Sequence, residues 1–593
     1  MRTLILAATV MGILTTGYAQ DADTTTKLSG SALIDKWVKA RWEEAGLKPA
    51  KKADEAEFMR RAYLDVIGVI PSLEEAEKYL ADHSANRRQK LVESLMKDEH
   101  YGEHWADVWS GILVGFDADR RDQQARGEET HDLRALFNKN MPYDEFARTI
   151  ITVSGAVYER YGQKMTADEL KELPKEVPLA SYIARQERVA GKDFHLAMAG
   201  KLTRVFMGVQ IQCAQCHDHP FDKWTQEEFY GMAGFFTGLV AQRKTYTPPE
   251  DKGKDKKDVK KDQIRYYVVG DRGSMAKEGM RPGGKGMEMM KDGMDLTIPN
   301  SKNGPVKTAF LETGKGVEPG TDRRSSYAKY VTEPSNLQFA KMAVNRYWAH
   351  FFGVGIVNPT DDFNGRNKPT HPELLKELAQ DFIDHKYDLH WLISAITGSE
   401  AYNLSSRATG KERDPQAEKF VALARVRPLT PEQIMRSTIE AIGIGGGPMG
   451  RMAGRPGKGA PPPAAAGATG AELKERALQN IVTQFRYSFG DDEGGEVGEF
   501  SGTIPSALLM MNSQIIGSGT NSMNRGNVFN EILAKHKGEG DRIRAIFLTV
   551  LSRLPSGSEG NRWAGHISKA GGDKGYEDLI WTLLNTSEFL FNH

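Results

Sequence analysis

The chain has 593 residues, longer than one ordinary hydrophobic core, and 39% of them are apolar, enough for a sizeable interior. Its 79 basic and 79 acidic residues leave a formal net charge of zero, so charge makes no case for nucleic acid or an anionic membrane surface. With only two cysteines, three positions apart, a disulfide framework joining distant segments is excluded.

The first element in chain order reads as a leader. Arg2 precedes the apolar run Leu4–Thr15, and Gly17 and Ala19 are the small residues a signal peptidase accepts. Residues 1–19 are therefore expected to be a signal peptide, and the mature protein periplasmic or extracellular. No later run is apolar and long enough to predict a membrane span.

Helix starts are marked by paired capping residues. Ser72 with Glu75 opens PSLEEAEKYLADH, and Thr225 with Glu228 opens TQEEFYGMAGFFTGL. Thr370 with Glu373 opens THPELLKELAQDFI, and Thr430 with Gln433 opens TPEQIMRSTIEAIG. In each pair a side-chain oxygen satisfies an orphan helix N–H and the acid or amide three residues on reciprocates. DFHLAMAGKLTRVFMGVQIQ is amphipathic, and QIRYYVVGD and MDLTIPNS alternate like strands. Three biased segments, Glu250–Gln263, Gly273–Met294 and Gly443–Gly470, read as solvated loops or linkers. The second holds Met275, Met280, Met287, Met289, Met290 and Met294; thioethers suit Cu(I), but irregular spacing among glycines favours a disordered insertion.

RRAYLDVIGVIPSLEE (Arg60–Glu75) aligns without gaps to RAIFLTVLSRLPSGSE (Arg544–Glu559). The shared pattern is a buried helix ending before a Pro-Ser turn whose serine caps the next helix. If the echo is more than chance, the two ends of the chain carry related helical hairpins.

CAQCHDHPFDKW (Cys213–Trp224) holds both cysteines. Cys-x-x-Cys-His is the pattern of c-type haem attachment, in which two thiols add to haem vinyl groups and the following histidine ligates iron. Cys213 and Cys216 would carry the haem and His217 the iron. Met232, Met207, His195, His104, His350 and His371 are candidates for the opposite axial position. His219 and Asp222 remain unused, and with His217 and the cysteines they form an alternative site for zinc or non-haem iron. A redox dithiol is disfavoured because no strand–Cys-x-x-Cys–helix context is visible.

Arg346, His350, Asp361, Asp362, Asn364 and His371 could line a polar cleft with carboxylates for acid–base work. The stronger reading is an arginine pairing with an aspartate to fix a loop, and a histidine in the first turn of a capped helix. HWADVWSG and YWAHFF could stack on sugars, but their helical spacing favours core packing.

RRAYLDVIGVIPSLEEAEKYLAD, YGEHWADVW, NKNMPYDEFARTII and LTRVFMGVQIQCAQCHDHPFDKWTQEEFYGMAGFF resemble the planctomycete-type cytochrome-C-like domain. NLQFAKMAVNRYWAHFFGVGIVNPTDDFNGRNKPTHPELLKELAQDFI and AIFLTVLSRLPSGSE resemble the domain of unknown function that usually follows it. The resemblance implies an exported, largely helical protein that binds haem and acts in redox steps of polysaccharide breakdown, with a redox protein or a sulfatase-like secreted enzyme as partner. Many relatives carry a further N-terminal cytochrome module, which is lacking here. The expected fold is mainly α: a helical domain over 28–240, a loop-rich, partly β connector over 241–324, and a second helical domain over 325–593 interrupted by the 443–470 linker. The expected function is electron transfer or oxidoreduction through haem c. The alternatives are a metal-dependent hydrolase or lyase, and a non-catalytic scaffold for a secreted degradative partner.

Overall fold

A computed structural model describes residues 28–114, 130–158, 173–247, 263–271, 295–299, 302–407, 415–443, 514–523 and 527–593. The expected leader, the Met-rich segment with its copper reading, and almost all of the charge run and the Gly/Pro/Ala linker lie outside the described residues.

The protein is mainly helical, with small antiparallel sheets. Helices α1 (Ser31–Glu44), α2 (Glu55–Val66), α3 (Leu73–Ala81) and α4 (Glu99–Val114) open the described chain. Strand β1 (Gly155–Tyr158) precedes α5 (Phe194–Met207) and α6 (Gln226–Ala233). Strands β2 (Leu239–Tyr246) and β3 (Ile264–Asp271) pair antiparallel, with Leu239 opposite Asp271, and β1 joins the other edge of β3. The second half contains α7 (Arg323–Thr332), α8 (Leu337–Phe352), α9 (Pro372–Asp384), α10 (Pro431–Ile442), α11 (Glu539–Leu551) and α12 (Gly557–Ala570), with shorter helices between. Among the described residues no helix is long and apolar enough to cross a membrane.

Capping chemistry sets several of these starts. The boxes Ser72–Glu75, Thr225–Glu228 and Thr430–Gln433 all form. The box expected at Thr370 does not. Pro372 occupies the first position of α9, so His371 becomes the N-cap and Thr370 falls outside the helix. The Thr370 hydroxyl instead sits 2.9 Å from His371 Nδ1 and 3.3 Å from the Ile356 carbonyl. The helix predicted through Leu239 is also shorter: α6 ends at Ala233, Gly234–Phe236 form a 3-10 turn, and β2 begins at Leu239. Close packing accompanies the change, since a Cβ on Gly234 would lie 2.4 Å from Thr308 Oγ1.

The two helical halves share one continuous core. A single buried cluster contains Leu33 and Trp42 of α1, Trp105 and Trp109 of α4, Phe206 of α5, and Tyr347, Trp348 and Phe351 of α8. The aromatic-rich segments are therefore core: Trp105 stacks on Tyr347 at 4.6 Å, and Trp109 on Phe206 at 6.1 Å. Polar bonds cross the same junction. Gly30 N–H donates to Asp381 (2.9 Å), Trp37 Nε1 to Glu377 (2.9 Å) and Trp42 Nε1 to the Phe420 carbonyl (2.8 Å).

A second core joins the chain ends and accounts for the sequence echo. Leu64 and Ile70 pack with Ile543, Ile546, Val550 and Leu551. α2–α3 and α11–α12 are matching hairpins, and both second helices start with the same Ser-x-x-Glu box. Both first helices are followed by a left-handed residue at the aligned position, Gly68 (φ 71°) and Ser552 (φ 58°). At Gly68 glycine is needed twice over, because a Cβ there would sit 2.4 Å from His104 Nδ1.

The polar face of α2 is wired into the distant half. Arg60, fully buried, donates to the carbonyls of Val550 (3.3 Å) and Phe589 (2.9 Å). Arg61 pairs with Glu57 at 2.8 Å and donates to the Tyr402 and Leu404 carbonyls. Asp65 accepts from Arg427 (2.5 Å), Tyr402 (2.8 Å) and Asn592 (2.7 Å). A buried carboxylate persists only with such a set of partners.

Candidate functional site: the cysteine–histidine loop

α5 delivers the chain to the loop. Its apolar face, including Leu202, Val205 and Phe206, is buried, and it stops at Gly208 in the left-handed conformation (φ 63°). A side chain is not accommodated there: a Cβ would meet Phe363 at 2.6 Å and Met342 Sδ at 2.7 Å. Phe363 N–H donates to the Gly208 carbonyl at 2.7 Å, which ties the start of the loop to the segment after α8.

A 3-10 turn, Gln212–Gln215, then carries Cys213, with Cys216 directly after it. Ala214 is buried and anchors the turn, whereas both cysteines are free thiols and exposed. His217 and Asp218 are also exposed. The loop is braced from within. His219 N–H donates to the Trp224 carbonyl (2.8 Å), Gln226 N–H to Asp218 Oδ1 (2.8 Å), and Gln226 Nε2 to the Gln215 carbonyl (3.0 Å). Phe221 is 61% exposed, and the Arg366 guanidinium lies 4.1 Å from its ring centre.

The two histidines of the loop are set in opposite ways. His217 Nδ1 lies 2.7 Å from the Asp218 carbonyl. A carbonyl only accepts, so Nδ1 carries the proton and the Nε2 lone pair is free. His219 Nδ1 accepts the Phe221 backbone N–H at 3.2 Å, so in the neutral ring the proton sits on Nε2 and the lone pair is occupied. Asp222 Oδ1 accepts the Lys223 N–H at 2.8 Å. Cys213, Cys216 and His217 are thus all exposed on one loop, with His219 and Asp222 turned to bracing it. Among the described residues no group of three or more His, Cys, Asp or Glu side chains converges as a metal site.

The other sequence candidates are dispersed. Met232 is buried and its sulfur accepts Leu311 N–H at 3.3 Å. His104 and His350 face each other in the interior, Nε2 to Nε2 at 3.4 Å, and His350 Nε2 donates to the Asp65 carbonyl at 2.9 Å. Burial pushes both imidazoles below their ordinary range. Met207 is buried at the end of α5, and His195 lies in its first turn. His371 is buried beside Trp348 and Phe420. Burial, and next Arg41, push it down to about 4. Its Nε2 has no hydrogen-bond partner among the described residues. Asp361 pairs with Arg204, while Arg346 donates to the Val205 carbonyl at 2.7 Å. Asp362 accepts from the Asn367 amide at 2.8 Å, and Asn364 Oδ1 accepts the N–H groups of Arg366 and Asn367.

Sequence reasoning missed a groove of about 720 Å³ at the far end of the loop. Asp222, Lys223 and Trp224 form one side, and residues from the ends of α7, the start of α8 and the segment after α8 form the other. Its lining comes from widely separated segments, so no local motif announces it.

Residues 33–241 match the family model PSCyt2, described as "Protein of unknown function (DUF1549)". Residues 323–567 match PSD1, described as "Protein of unknown function (DUF1553)". No curated protein and no solved structure matches the chain. The chain therefore carries the planctomycete-type domain pair, PSCyt2 followed by PSD1, that its motifs resemble.

Proposed function

We propose that the Cys213–Trp224 loop attaches one haem c and that the protein acts in electron transfer or oxidoreduction outside the cytoplasm. Cys213 and Cys216 would hold the group as thioethers, and His217 would offer Nε2 to the iron. The haem would supply one-electron transfer. The observation that carries this reading is the opposite setting of the two histidines. The Asp218 carbonyl fixes His217 with its Nε2 lone pair outward, as outer partners commonly fix a ligating imidazole. His219 would have to surrender its Phe221 bond before binding a metal through Nδ1, which disfavours a non-haem site using His217, His219 and Asp222 together.

The donor set suits the group in two further ways. Both thiols are free and reachable, and the turn beneath them is pinned by buried Ala214 and by Gln226. Attachment therefore requires no unfolding of α5 or α6. The test is the mass and absorbance of protein co-expressed with haem-maturation machinery. A gain of one haem and a reducible Soret band are expected, both lost in Cys213→Ser/Cys216→Ser. Colourless protein with stoichiometric zinc under those conditions would overturn the reading.

A further inference from the structure

The groove beside the loop carries chemistry that attachment of a haem would not use. Its rim has two ion pairs, Lys223 with Glu312 and Lys315 with Glu333 (2.6 Å), which neutralise four of its charges. Asp222 is the remaining carboxylate, held through Oδ1 by the Lys223 N–H. Lys341, on α8, is the remaining cation. It is half-buried and has no acidic partner among the described residues. Burial and the nearby Lys376 both push its amine below the ordinary lysine range. Within the lining three ammonium groups thus face three carboxylates, and Lys341 and Asp222 are the two left outside the ion pairs.

The rest of the lining is uncharged. Trp224, Phe310 and Phe363 supply aromatic surface. Asn364 spends its carbonyl oxygen on two backbone N–H groups, which leaves its amide N–H₂ to donate. Gln338 spends its amide nitrogen on the Met207 carbonyl (2.8 Å), which leaves its oxygen to accept. Lys341 as the unpaired cation, Asp222 as the unpaired carboxylate at the loop, a spare donor, a spare acceptor and aromatic walls set what the groove can take, and its volume admits a small organic molecule. We infer that this groove binds a small organic anion, a carboxylate or sulfate ester carried on a hydroxylated ring, with Lys341 as its counter-ion. The inference goes beyond the haem reading and does not depend on what Cys213, Cys216 and His217 hold.

Calorimetric titration of the full mature chain at low salt tests it, with galacturonate, glucose 6-sulfate and uncharged glucose as probes. At least one anion should bind roughly tenfold or more tighter than glucose, the contribution of a charge-assisted hydrogen bond. Which of the two binds distinguishes a carboxylate from a sulfate ester. Lys341→Met should reduce anion binding to the level of glucose, while Lys341→Arg retains it and Lys569→Met, on α12, leaves it unchanged. Melting curves establish that each variant is folded; Lys341→Met is close in volume and removes no hydrogen bond. Anion binding no tighter than glucose, equal binding by Lys341→Met and wild type, or no binding of either anion would each overturn the inference.

Discussion

Replacing His371 by Phe should remove one proton's worth of acid sensitivity from the fold. His371 is 3% exposed, and burial holds its imidazole down to about 4, against about 6.5 in an unfolded chain. Because the folded value is depressed, the unfolded state binds more protons across the interval between the two. Stability is therefore full above pH 6.5 and falls as pH drops toward 4. One pKa unit corresponds to about 1.4 kcal/mol, so this residue alone costs about 2 kcal/mol at pH 5 and about 3 kcal/mol below pH 4. Phenylalanine keeps a ring beside Trp348 and Phe420 and removes the buried Nε2 that has no partner among the described residues. At pH 7.5 the loss of the Thr370 contact should cost about 1 kcal/mol. Urea denaturation of wild type and His371→Phe at pH 7.5, 6 and 5 provides the assay. The variant's disadvantage at pH 7.5 should become an advantage by pH 5. Parallel profiles over that range would refute the burial argument.

Other perturbations follow from the α2 junction and the paired hairpins. Gly68→Ala should destabilise by about 3 kcal/mol, from left-handed strain plus the clash with His104, measured as a lower urea midpoint. Ser552→Gly, at the equivalent position, should stabilise by roughly 0.5–1 kcal/mol by relieving the same backbone strain and removing a buried hydroxyl without a partner among the described residues; an unchanged or lower melting temperature would contradict this. Asp65→Ala should cost about 3–5 kcal/mol, because Arg427 is left largely buried without its carboxylate. Residues 28–241 expressed alone should bind a hydrophobic dye and unfold without a cooperative transition, since α1 and α2 lose their partners from the second half; a sharp transition would show that the shared core is dispensable.

Local chemistry was the most readable part of the sequence. Ser72, Thr225 and Thr430 mark their helices because a cap and its reciprocating residue lie within one turn. Thr370 misled because Pro372 moved the start by one residue. The echo between Arg60–Glu75 and Arg544–Glu559 was visible, and even its left-handed residue falls at one aligned position. That these hairpins meet was not visible, since nothing local in either specifies the other. The cysteine–histidine motif stood out by spacing, but the different roles of His217 and His219 depend on which backbone group each ring nitrogen faces. Strands β1 and β2 were missed. In β2 the pattern continues a helical aromatic run, and only pairing with β3 makes it extended. The groove joins Trp224, Lys341 and Asn364 through tertiary structure alone.

The wiring of α2 also fixes an order of events in biosynthesis. Arg60 and Asp65 are made early, yet their partners Phe589 and Asn592 lie 529 and 527 residues later. Contacts of that separation form last and slow the search for the native state. Until residues 589–592 appear, α2 presents two arginines and an aspartate with much of their burial still to come. α2 therefore cannot complete its contacts until residues 589–592 have been made, and that segment acts as the latch that commits the two halves to each other.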